Sequence, residues 1–151
     1  MKKIGGHMKR KIFRWILIIL WCMFIFYQSD KPADQSKASS GFFTTAVNNL
    51  IEKTVGNDAL TISENFIRKT AHFIEYMILG ILLFNAVKTL GNRSKYLVVS
   101  TLAGALYAVT DEIHQYFVPG RAMRYCDVFI DTAGVLTGVL LVYIVSARKV
   151  K

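Results

Sequence analysis

The chain has 151 residues, a length that fits one domain. It is 53% hydrophobic and only 19% charged, with the apolar residues in long runs, so a membrane protein is expected rather than a soluble globule. The formal charge of +9 gathers in short acid-free segments beside those runs; this is the pattern of membrane topology, and it argues against nucleic acid as a partner.

Lys2, Lys3, Lys9, Arg10 and Lys11 precede an apolar run broken only by Arg14. A secretory signal begins in the same way, but no small-residue cleavage site follows. Bulky Trp21 argues against a lipoprotein reading of Cys22. The run therefore predicts an uncleaved first span over about residues 12–28, with Arg14 snorkelling inward and Trp15 and Tyr27 at the two interfaces. Cys22 and Cys126 are expected to be free thiols. Residues 28–40 are small and polar and read as a flexible linker. Phe43, Val47, Leu50, Ile51 and Val55 then recur at helical spacing, predicting an extracytoplasmic amphipathic helix that either caps the bundle or meets lipid or a partner.

The stretch T-I-S-E at 61–64 has the capping-box pattern and predicts a helix start. The span that follows, about 66–88, carries Lys69, His72, Glu75 and Tyr76 on one face. A short basic turn with Gly91 and Asn92 leads to a third span at 96–118. Its first fifteen residues cover only about 22 Å of a roughly 30 Å core, so the helix should continue through Asp111, Glu112, His114 and Gln115. Pro119-Gly120 ends it, and Arg121 and Arg124 occupy the turn. In the fourth span, about 127–147, Asp127 and Asp131 share a face with Gly134 and Gly138, a G-x-x-x-G surface expected to pack within the bundle.

The fold expected is thus an all-α membrane protein, a four-helix bundle with both termini cytoplasmic and one amphipathic helix outside. All ten acidic residues then fall on the outer side or in the outer parts of spans. Three helices bring charges to one depth, where a charge is costly and usually functional. That convergence marks the candidate site.

The combination R-K-T-A-H-F-I-E-Y, then D-E-I-H-Q-Y-F-V-P-G-R, then D-V-F-I-D-T-A-G-V-L-T-G resembles the VanZ-like family of bacterial membrane proteins. The resemblance covers residues 68–140 and also suits the first span; it implies that residues 1–151 form a single VanZ-like membrane domain. It implies a small multipass envelope protein of a family named for a member giving teicoplanin resistance. By the match, Lys69, His72, Tyr76, Glu112, Gln115, Arg121 and Asp127 take motif positions, with Gly134 and Gly138 as packing glycines. The family often has Asn where this chain has Asp131, and an Asn could supply only hydrogen bonds there, which weighs against a catalytic role for that position.

Three chemistries compete for the cluster. In a binding module, Arg68, Lys69, Arg121 and Arg124 would hold phosphate or carboxylate of a lipid-linked wall precursor or teichoic-type polymer. Glu75, Tyr76, His114, Gln115 and Asp131 would complete that binding set. In a hydrolase or transferase, Glu112 would act as general base, with His72, Asp127 or Asp111 as its partner. A metal variant would draw on His72, Glu75, Glu112, His114 and Asp127, although the H-E-x-x-H pattern is absent and no cofactor is assigned. A proton-coupled carrier fits least well, because the inner half of the bundle is mostly leucine apart from Asn85.

Overall fold

The computed structural model describes residues 2–56, 61–88 and 93–148, which form five helices and, among the described residues, no strand. These are α1 (Lys2–Ser29), α2 (Ala33–Val55), α3 (Glu64–Val87), α4 (Arg93–Tyr116) and α5 (Tyr125–Arg148). Four stretches are long and apolar enough to cross a membrane: Met8–Ser29, Glu64–Val87, Lys95–Tyr116 and Tyr125–Ala147. Their outward faces stay apolar, with Ile19 and Met23 on α1, Leu102 and Leu106 on α4, and Ile144 and Val145 on α5 all exposed. In lipid such a surface carries no penalty, and helices satisfy their own backbone groups.

The bundle is held where backbones come closest. Gly134 of α5 lies against the carbonyl of Phe73, Gly138 against that of Met77, and Gly80 of α3 against the backbone of Val135. A β-carbon at any of the three would collide with main chain, which cannot swing aside as a side chain can. The G-x-x-x-G face is therefore spent on α3 within the bundle. Around this seam Tyr76, Leu79, Phe84, Ile25, Ala108, Val135 and Val139 form the core.

Polar ties fasten α1 to its neighbours. Trp21 Nε1 donates to the carbonyl of Glu75 at 2.9 Å, and the Tyr107 hydroxyl donates to the carbonyl of Cys22 at 2.7 Å. Arg14, expected to snorkel, donates to the carbonyl of Asn85 at 3.0 Å in the last turn of α3, where a cation is favoured. Both cysteines are free thiols.

Several local expectations change. The linker expected over residues 28–40 is largely helix, because α1 continues to Ser29 and α2 starts directly after Pro32. Its hydroxyl residues do not break the helix, since Ser39, Ser40 and Thr44 each donate to the carbonyl four residues back. The α2 face turned inward is the small polar one, with Ser40 and Thr44 buried, while Phe42, Phe43, Leu50 and Val55 remain exposed. The cap of α3 is Ser63, whose side chain accepts from the Phe66 amide, rather than Thr61. α4 stops at Tyr116, two residues short of the expected end, and tight turns take over. The predicted turn at Gly91-Asn92 lies outside the described residues.

Candidate functional site

The N-terminal ends of α3 and α5 and the C-terminal end of α4 meet at one end of the bundle. Successive hydrogen bonds shape the α4–α5 connection: Phe117 N–H to His114 O, Val118 N–H to Gln115 O, and Arg121 N–H to Val118 O. Gly120 turns the chain at φ 74°, a left-handed conformation that costs glycine little. The start of α2 rests on this turn, with Ala33 N–H donating to Pro119 O at 3.3 Å. The turn and the α2 start together make one wall of a cleft of about 290 Å³.

Lys69, His72, Glu112, Gln115, Arg121, Arg124, Asp127 and Asp131 line this cleft, joined by Lys37, Asn65 and Arg68. Glu112, 1% exposed, accepts from the Arg124 amide through Oε2 at 2.9 Å, which ties the end of α4 to the residue before α5. Lys69 Nζ stands 3.4 Å from Asp127 Oδ1, linking α3 to α5. Arg121 donates to Gln115 Oε1 at 2.7 Å, and the Gln115 amide nitrogen passes the chain on to Asp111 Oδ2 at 3.0 Å and Ser29 Oγ at 3.2 Å. Burial, and then the nearby charge of Arg68, lower the Arg121 guanidinium from its ordinary value, though arginine remains charged at neutral pH. Arg68, Arg121 and Arg124 have no carboxylate within ion-pair distance among the described residues.

The VanZ/LLP1 family model matches residues 13–146. The chain belongs to the VanZ/LLP1 family. No curated protein and no solved structure gives a match.

In this VanZ/LLP1 chain the remaining candidate residues lie outside the cleft lining. Asp111 is buried behind it at 2% exposure, with Oδ2 accepting from Ser29 Oγ at 2.8 Å. Tyr76 is fully buried in the core. Glu75 lines a smaller groove between α2 and α3, together with Lys31 and Arg121. His114 turns away from the cleft: its Nε2 is 3.2 Å from Asp30 Oδ1, and its ring stacks on Phe26. It lies three positions after Asp111, on the side of α4 where both meet the end of α1, whereas Glu112, two positions before it, points nearly the opposite way into the cleft.

Asn65 in the cleft lining, Ser29 and Lys37 were missed from the sequence. Ser29 is fully buried and holds Asp111, yet in the sequence it is one more serine at the edge of a polar stretch. Lys37 reaches the cleft only because residues 33–40 are helical, and the linker reading removed it from consideration. A possible signal was Pro32, whose fixed φ suits a helix start.

Proposed function

We propose that this VanZ/LLP1 membrane protein binds the phosphate or carboxylate head of an anionic cell-envelope component, in a cleft facing the outer side of the membrane. The carrying observation is that Arg68, Arg121 and Arg124 converge on one cleft with no carboxylate in ion-pair reach among the described residues. Arginine side chains left with spare donors suit bidentate recognition of phosphate and carboxylate. The N-terminal ends of α3 and α5 add partial positive charge at the same end of the bundle. Exposed Phe43 on α2 lines the smaller groove that shares Arg68, His72 and Arg121 with the cleft, an apolar neighbour suited to a ligand carried on a lipid tail.

A lipid-linked wall precursor or a teichoic-type polymer has the required chemistry. Such a ligand would connect the protein to the teicoplanin resistance after which the family is named. The outward orientation is supported by the basic residues at both termini and in the 88–95 segment, since basic flanks favour the cytoplasmic side and the cleft lies at the opposite end of the bundle.

The test is binding of a polyprenyl diphosphate to purified protein in nanodiscs, against the uncharged polyprenol of equal chain length. Selective binding of the diphosphate, weakened at least tenfold by Arg121→Lys, is expected. Equal affinity for both lipids would overturn the proposal.

A second reading, an acid–base hydrolase or transferase, draws on the placement of Glu112, His72 and Asp127 in the same cleft. Glu112 has one oxygen tied to an amide and the carboxylate borders the cleft, as a general base requires. Release of phosphate from the diphosphate lipid, lost in Glu112→Gln, would select this reading over simple binding.

A further inference from the structure

Behind the cleft lies a cluster that anion binding does not use. One ligand atom from each of His72, Asp111 and Asp131 lies within 4.8 Å of the other two. The three residues come from α3, α4 and α5, so the grouping is a product of the bundle rather than of local sequence. Both aspartates are almost completely buried, at 2% and 1% exposure.

Their oxygens are unequally satisfied. Among the described residues, Asp111 Oδ2 accepts from both Ser29 Oγ and Gln115 Nε2, whereas Asp111 Oδ1 has no partner within hydrogen-bond distance. Neither oxygen of Asp131 has one. His72 Nδ1 stands 4.0 Å from Asp131 Oδ1, too far for a hydrogen bond. Among the described residues the Tyr76 hydroxyl lies beside Asp111 as a buried donor, but one hydroxyl cannot satisfy three carboxylate oxygens that are costly at this depth, and a cation between them is the ordinary remedy.

We propose that His72, Asp111 and Asp131 bind a divalent first-row metal ion, with Zn²⁺ the best match. Two carboxylates and a neutral imidazole together carry two negative charges, which one divalent ion cancels inside the bundle. A mixed nitrogen and oxygen set of three side chains suits Zn²⁺ better than Ca²⁺ or Mg²⁺, which prefer more oxygen donors. Bonds of about 2.0–2.2 Å at tetrahedral angles put ligand atoms roughly 3.4 Å apart, so the side chains need to close by about an ångström around the ion. The Ser29 and Gln115 bonds to Asp111 Oδ2 already orient that carboxylate with Oδ1 free, as outer hydrogen bonds do for metal ligands. His72 and Asp131 also border the cleft, so a bound ion would sit at its floor and present a Lewis acid to whatever the arginines hold.

The test uses tag-free protein purified in mild detergent without anionic lipid, which makes it independent of the cleft's own ligand. Elemental analysis should find about one Zn²⁺, Mn²⁺ or Fe²⁺ per chain. After stripping with a chelator, Zn²⁺ added alone should rebind stoichiometrically and raise the melting temperature. Asp131→Asn keeps size and hydrogen-bonding capacity, and it should lower bound Zn²⁺ at least tenfold while eluting as a folded protein. Asp30→Asn, at the distant His114 contact, should retain the ion. If stripped wild-type protein takes up no Zn²⁺, or if Asp131→Asn holds as much as wild type, the site does not exist.

Discussion

Glu112→Gln separates scaffolding from chemistry, because the structure shows what the carboxylate does for the fold. Its Oε2 accepts one amide hydrogen bond, from Arg124 at 2.9 Å. Glutamine keeps a carbonyl oxygen of the same reach, so the bond survives in neutral form. A hydrogen bond to a charged group contributes about 1.5–3 kcal/mol and a neutral one about 0.5–1.5, so the loss is roughly 1 kcal/mol. Easier burial of a neutral side chain offsets part of that. Glu112→Ala instead leaves the Arg124 amide unpaired and opens a cavity, at a combined cost of about 2–5 kcal/mol. For a ligand, the direction reverses. An ionised Glu112 lines the same cleft as the arginines, and a phosphate held within about 10 Å of it would be opposed by about 2 kcal/mol at an effective dielectric of 20, before screening. Thermal unfolding in detergent should therefore place glutamine close to wild type and alanine well below it. The diphosphate lipid should bind the glutamine variant at least as tightly as wild type. If glutamine destabilises as much as alanine, or weakens diphosphate binding tenfold, this account of Glu112 is wrong.

The other expectations are simpler. Reporter fusions after Gly91 and after Gly120 should report opposite sides of the membrane, the first cytoplasmic; the same side for both would rule out the four-span topology. Gly138→Leu drives a side chain into the Met77 carbonyl and should cost several kcal/mol, read as loss of the monodisperse peak on gel filtration. His114→Ala should change diphosphate affinity by less than about twofold and stability by about 1 kcal/mol, because the ring contacts Asp30 and Phe26 outside the cleft. A larger effect on affinity would mean that His114 reaches the ligand after all.

What could be read from the chain alone depended on regularities that survive without tertiary contacts. Apolar runs long enough for a bilayer specify spans whatever packs beside them, and the spans read at 66–88 and 127–147 differ from the candidate membrane stretches of α3 and α5 by only one or two residues. A carboxylate in such a run is costly anywhere, so Asp111, Glu112, Asp127 and Asp131 stood out as soon as the spans were drawn. Shared depth across three helices likewise follows from counting residues. Direction around each helix axis does not, since it is settled by which neighbours a helix packs against. Glu75, Tyr76 and His114 share the depth of the cluster, but packing sends Tyr76 into the core, Glu75 to a side groove and His114 to Asp30. Only the close seating of α5 on α3, through Gly134 and Gly138, brings Asp131 to His72. The helicity of residues 33–40 was also a tertiary decision: their polar side chains favour no state strongly, and docking on the Pro119-Gly120 turn selects the helix.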